Sequence, residues 1–555
     1  MYNPHLFTNI LHAIESGLRI PNAFRNITRF ILICCLASLS ASCGDKLQKA
    51  SEFATVAEQQ FAGGDLEAAR LSIQKAIATR DDVAAYYILL GQIEVQSQKP
   101  VSAFNAFSLA LDLEADNVQI LQSIADLGLQ TGRVKEAEEA ADRILILAPG
   151  SPNALLVKGF IAIDEGRFDV ARKAVEDILS FNAQDEGGII LSARIDALQG
   201  KPQEALAKID AIIGLIGETS ALNATRLEIY RLLRQPARML ESLSALIQKA
   251  DANNEYQLDY LNLLYKVGKQ DEARNAAVTL LRDPKLNRDQ TVKIIDIWNE
   301  YDADPLTAAQ ISYFAKDGTR TAQILLTRHF LNTGRTDIAA RIIAKLEKGQ
   351  SPEALGLMAQ IRLAEGASRT AYGIADRILE VDPRNEDALI VRSAKYIKEK
   401  RFDKAIADAS IVTSDAPQNP NGYVALVNAL AAKGSKIRAR QVFEQGMEFL
   451  PQSRLLAMHY KELLLRWGDK PRIVSLDKEV ALASPSSTKS WTIFSESCSR
   501  FGDGLCAKAA EQGLANAKNS YLVDDPPGTP RRRGLFARIT PEKICATTGG
   551  ICTES

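Results

Sequence analysis

The chain has 555 residues, 46% of them hydrophobic, with 67 Lys plus Arg set against 68 Asp plus Glu. That apolar content supports a folded protein with ample core, and a net charge of −1 argues against a surface built to neutralise nucleic-acid phosphates. Aromatic residues are only 6% of the chain, few for the stacking platforms a long carbohydrate-binding wall would need.

At the N-terminus, Arg19, Arg25 and Arg29 precede Phe30 to Leu39, an uncharged and mostly apolar run of ten residues, and Ser40, Ala41 and Ser42 lead on to Cys43 and Gly44. Such a run rises about 15 Å as helix, half a bilayer, so residues 1–42 read as an export signal with a long leading segment and not as a span. The small triplet before a cysteine resembles the lipobox of bacterial lipoproteins. The resemblance implies that Cys43 receives a diacylglycerol, becomes the first residue after cleavage and tethers the chain to the periplasmic face of a membrane. In that family leucine usually stands three positions before the cysteine, where this chain has Ser40. Ordinary cleaved secretion and an uncleaved anchor stay open. Gly44 in place of Asp, by resemblance to enteric lipoproteins, lacks the inner-membrane retention signal and favours the outer membrane.

Beyond the signal the sequence repeats. Gly64, Gln98, Gly132, Gly166, Gly200, Arg234 and Gly268 follow at steps of 34 residues, and Gly366, Lys400, Gly434, Gly468 and Gly502 resume the step, with Gly334 between the runs. Five residues after each mark stand Ala69, Ala103, Ala137, Ala171, Ala205, Met239, Ala273, Ala339, Ala371, Ala405, Ala439, Ile473 and Ala507. Seven before it stand small residues such as Ala57, Gly91, Ala125, Gly159, Ala193, Ala359 and Ser393, and seventeen after it Pro149, Pro383, Pro417, Pro451 and Pro485. The columns predict a helix A closed by a left-handed turn at the mark, a helix B closed by proline, and a seam of small residues along which the two pack. Apolar residues at helical spacing complete each half, as in Leu155, Leu156, Gly159, Phe160 and Ile163, then Phe168, Ala171, Val175 and Ile178. One hairpin cannot bury its apolar face alone, so neighbours must stack.

These columns resemble the tetratricopeptide repeat (TPR), as in Ala359, Gly366, Ala371 and Pro383 within one unit. The resemblance covers about residues 50–517 and implies an all-α, TPR-type helix-turn-helix solenoid, a right-handed superhelix of about fourteen hairpins. It divides the chain into an N-terminal array over 43–285, a degenerate unit or kink over 286–318, a C-terminal array over 319–517 with a capping hairpin, and a Pro- and Arg-rich tail over 518–555. The small columns also fail between Glu218 and Lys249. Family geometry places Ile88, Gln92, Gln122, Asp126, Phe160, Gln360 and Asn428 on a concave wall that would take a peptide or helix, a rather apolar wall with scattered amides. Each of those positions can equally be core.

Four cysteines lie near the end of the chain, two in the capping hairpin and two in the tail. Cys498 and Cys506 lie four residues on either side of Gly502, where a bridge would fasten a terminal hairpin, and Cys545 and Cys552 bracket a small ring in the tail. Free thiols, or zinc despite spacings unlike those of structural zinc sites, stay open. Arg531, Arg532 and Arg533 in the tail read as a solvated basic run or an anionic docking point.

Elsewhere no pattern carries reaction chemistry. His329 and His459 stand singly on separate helices as surface or groove residues, Glu138 and Glu139 belong to a solvated face, and Trp298, Trp467 and Trp491 read as packing. No catalytic site, metal or cofactor is expected. The expected function is a membrane-tethered scaffold for protein partners in the bacterial envelope, serving polysaccharide export or surface assembly, a step that rests on resemblance to long lipoproteins of this repeat family. Alternatives are an outer-membrane assembly or secretion accessory and, from another class, a carbohydrate-binding solenoid or an enzyme subunit.

Overall fold

The computed structural model describes residues 46–520 apart from 98, 250–253 and 349–350. Gln98, Cys43, Cys545, Cys552 and the arginine run lie outside the described residues. Within them the chain is all-α: a helix over 46–62 is followed by 27 more, from Leu66–Thr79 to Gly504–Asn519. Most consecutive helices pack antiparallel in chain order, the architecture of a TPR-type helical solenoid, but Arg288–Tyr301 packs on Asn254–Lys266 and Arg320–Asn332, and Ala308–Asp317 mainly on Thr336–Lys348. The helices fall into two compact units, one running to Ile195 and the other beginning at Asp196, a division inside the helix Glu186–Leu198. The irregular segment 286–318 lies within the second unit.

The hairpin of Pro152–Asp164 and Phe168–Phe181 shows how the columns act. Pro152 opens the first helix, where its missing N–H has no intrahelical partner to lose. Gly166 ends it at φ +74°, and Arg167 donates its N–H back to the Ala162 carbonyl at 2.7 Å, closing the turn. The second helix then lays Ala171 on the seam with no exposed surface.

The register, more than the residue, dictates this turn. All marks from Gly64 to Gly468 that lie on described glycines have φ between 74° and 86°, and the two described marks without glycine, Arg234 and Lys400, are forced to φ 53° and 59°. They are the positive-φ non-glycine residues of the described chain. A Cβ in that conformation costs about 1 to 2 kcal/mol, which the packing of two helices outweighs.

Of the thirteen residues five past a mark, twelve have 0% exposed surface, including Met239 and Ile473. At Gly91 and Gly159, seven before their marks, the space is tight. A Cβ on Gly91 would meet the Phe107 ring at 2.7 Å, and one on Gly159 would meet Leu191 of the next hairpin at 2.4 Å.

Two expectations fail at the last hairpin. Gly502 is not left-handed (φ −98°, ψ −166°), and Ala507 is exposed while Ala510 is fully buried. Cys498 and Cys506 are joined by a disulfide with Cα atoms 5.5 Å apart. The turn here has another shape, held by the bridge and by the Asp503 carboxylate, which accepts from the Cys506 N–H at 2.8 Å, and Gly502 is needed there for room: a Cβ would lie 2.9 Å from both the Cys498 backbone and the Cys506 sulfur.

The irregular segment of helices Arg288–Tyr301 and Ala308–Asp317 lacks the marked turn and has a polar junction in its place. Buried Asp302 ends its first helix and accepts from Arg274 Nε at 2.7 Å, Arg274 Nη2 at 3.0 Å, Tyr265 Oη at 3.1 Å and the Asp304 N–H at 3.1 Å. Burial alone would raise this carboxyl, but Arg274 outweighs it and holds the group below its ordinary range. Capping boxes at Asn287 with Gln290 and at Thr307 with Gln310 start the two helices.

Candidate interaction surface

In the first unit, helix Ala84–Gln96 carries Ile88, half-buried, and Gln92, exposed, while the next A helix, Val118–Thr131, carries Gln122, half-buried, and Asp126, exposed. Asp126 reaches solvent, yet the protein crowding around it strips enough hydration to push its carboxyl up to about 6. Phe160 does not join that wall: it is 5% exposed, with the Arg194 guanidinium 5.4 Å from its ring centre. Helix Glu186–Leu198 packs over this face, its Leu191 against Gly159 and its Gly187 against Leu156, and covers what family geometry left open.

The second unit differs in its polar content. Asn428 is exposed, but half-buried Gln360 donates to Asp387 Oδ1 at 2.7 Å. Asp387, 1% exposed, also pairs in fork fashion with Arg328, whose Nη1 and Nη2 lie 2.9 and 3.0 Å from its two oxygens. Burial pushes the Asp387 carboxyl up against the pull of Arg328, so the pair as a whole adds little to stability while either half alone would be costly. His329 is not a surface or groove residue. It is 7% exposed beside Trp298 and Phe330, and burial takes its imidazole down to about 4. Trp298 is wholly buried and Trp491 nearly so, as packing residues.

The second unit also touches itself across long stretches of sequence. Glu300, at the end of helix Arg288–Tyr301, accepts from Arg454 Nη1 at 2.7 Å, Ser487 Oγ at 2.6 Å, Thr488 Oγ1 at 3.0 Å and the Lys489 N–H at 2.9 Å. Its carboxylate therefore sits on the N-terminus of helix Thr488–Phe501, where unpaired N–H groups and the helix dipole favour an anion. Burial works against the charge, but these donors win and lower its pKa. Lys489 Nζ donates to the Asn299 carbonyl at 2.8 Å. On the second helix of the last hairpin, Lys266 Nζ donates to the carbonyls of Ala517, at 2.9 Å, and Ser520, at the C-terminus of Gly504–Asn519, where carbonyls lack intrahelical partners. Asp296, one turn before Glu300, is accessible but crowded, and loss of hydration pushes its carboxyl up to about 6 against the opposing effect of Arg454.

None of Glu300, Arg454, Lys266 or Ser487 was singled out by spacing. Ser487 carries a local signal, as the N-cap whose hydroxyl accepts from the Ser490 N–H at 3.0 Å. Among the described residues no group of three or more His, Cys, Asp or Glu is placed to hold a metal ion, and no described helix is long and apolar enough to cross a membrane.

Hairpins of this length and register define a helical-repeat solenoid of TPR type, a class that presents extended walls to its partners. No protein-family profile matches the chain. Among curated proteins it is similar to cellulose synthase operon protein C of Xanthomonas axonopodis pv. citri (strain 306), 28% identical over 180 residues. That match takes in 31% of this chain, and the chain spans only 12% of the relative's length. Among solved structures, a tetratricopeptide repeat protein from Parabacteroides merdae aligns at TM-score 0.36 and 19% identity, over 45% of this chain and 98% of the other. PilW, described as a widely conserved type IV pilus biogenesis factor, aligns at TM-score 0.31 and 19% identity, over 38% of this chain and 97% of its own.

Proposed function

We propose that this protein is a membrane-tethered scaffold of the bacterial envelope, fixed through lipid on Cys43 and holding protein partners on its helix A wall for the export or assembly of a surface polymer. The observation that carries the reading is the wall itself: successive A helices present Ile88, Gln92, Gln122 and Asp126, a mixture of apolar and amide groups with one carboxylate, on a repeat scaffold that places them at regular intervals. Such a surface suits an amphipathic or extended segment of another protein, which pairs apolar anchors with backbone groups seeking amides. The similarity to cellulose synthase operon protein C supports a polymer-related partner. The export-type segment before Cys43 supports the tether.

Affinity capture from detergent-solubilised envelopes tests both halves. The doubly substituted wall, Gln92→Ala with Asp126→Arg, should lose the captured partner and stay in the membrane fraction. Cys43→Ala should leave the membrane fraction and keep the partner. A wall variant that captures the same partner at full yield contradicts the scaffold reading, and Cys43→Ala that remains membrane-bound contradicts the tether. Capture of an outer-membrane assembly or secretion component in place of a polymer synthase or exporter would move the protein to that pathway.

A further inference from the structure

The disulfide and the long-range contacts of the second unit meet in one hairpin. Helix Thr488–Phe501 offers its N-terminus to Glu300, helix Gly504–Asn519 offers its C-terminus to Lys266, and Cys498–Cys506 joins the two helices at their shared turn. Both grips depend on the angle between the two helices, because each helix is held at the end far from the turn. That turn is the one described mark at which glycine leaves the left-handed conformation, and the first turn of its second helix swings out far enough to expose Ala507. With the sulfurs parted, Gly502 is free to adopt the turn used by the other hairpins and to bring Ala507 to the seam, which re-aims helix Gly504–Asn519 away from Lys266.

We propose that the last hairpin is a redox-held latch: the Cys498–Cys506 bond keeps the second unit fastened to itself through Glu300 and Lys266, and a dithiol reductant releases it. The chemistry is ordinary exchange. A thiolate of the reductant attacks the half-buried Cys506 sulfur and Cys498 leaves as thiolate. The second thiol of the reductant then attacks the mixed disulfide, Cys506 leaves, and both protein thiolates take up protons while the reductant ends as its own disulfide. Cys498 is 2% exposed, so attack is directed to Cys506. Release would bare the ends of helices Asn254–Lys266 and Arg288–Tyr301 to a partner. The latch does not depend on which partner or pathway the scaffold serves.

Hydrogen exchange on the full chain, with and without dithiothreitol, reads the latch from its far side. Reduction should speed exchange of amides in 288–301 and 488–492 about tenfold, and the Cys498→Ala, Cys506→Ala double variant should show the same rates without reductant. Glu300→Ala with the disulfide intact should speed the same two stretches while leaving 498–506 unchanged. Faster exchange confined to 498–510 after reduction would overturn the latch. So would acceleration spread equally over 320–440, since the bond would then be a general staple of the fold.

Discussion

The two units use the same hairpin and secure it differently. In the first, contacts join a hairpin to itself or its neighbour, through small-residue seams such as Gly159 with Leu191, and the buried Arg70–Glu94 ion pair at 2.6 Å spans only adjacent hairpins. In the second, buried Asp387 ties Arg328 of one A helix to a helix two hairpins on, and Glu300 and Lys266 reach partners 154 to 254 residues away. A solenoid of nearest-neighbour contacts bends and frays by degrees, whereas one that also grips itself at a distance gains cooperativity over the enclosed stretch. The same repeat can thus yield an elastic wall in one place and a fastened one in another, according to where charged side chains are spent.

The contrast is broken most sharply at Asp387. Asp387→Ala leaves the Arg328 guanidinium buried without its fork partner and should cost about 3 to 5 kcal/mol in urea unfolding of the second unit. Glu67→Ala, removing an exposed partner of Arg70 in the first unit, should leave the unfolding midpoint almost unchanged. Equal losses from the two would erase the distinction.

A smaller effect comes from acid. His329 titrates near 4 in the fold and near 6.5 when unfolded, so the unfolded chain takes up the proton first. Stability is full above about pH 6.5 and declines as pH falls toward 4, by about 3 kcal/mol for this group. Unfolding midpoints at pH 7 and pH 4.5 should diverge in the parent protein and diverge much less in His329→Phe. Parallel midpoints in the two proteins would show that the imidazole is not held neutral.

The smallest effect is a gain. Lys400→Gly and Arg234→Gly should each stabilise by about 1 kcal/mol, since glycine removes the left-handed strain that the register imposes. Thermal unfolding that falls instead would mean that these side chains contribute packing worth more than the strain.

Much of this architecture is written in the period. The 34-residue marks locate the turns so firmly that Arg234 and Lys400 adopt positive φ without glycine, and the column five residues on is buried wherever the turn keeps its shape. The period fails at Gly502, where a disulfide bounds the turn, and it is already broken in sequence over 286–318, where Asp302 stands in place of a turn. The repeat position of Phe160 faces the groove in an isolated repeat, and only the helix after it shows the covering. The Glu300 contacts lie beyond any periodic argument, because spacing along the chain says nothing of which turn of a superhelix returns to which. Two rows of ordinary surface charge become a fastening only when the curvature is known.

A double-mutant cycle on Glu300→Ala and Arg454→Ala, read by urea unfolding of the full oxidised chain, addresses the self-contact of the second unit most directly. A coupling energy of about 1 kcal/mol or more between residues 154 positions apart is the predicted result. Additive losses, with coupling indistinguishable from zero, would mean that the second unit does not close on itself.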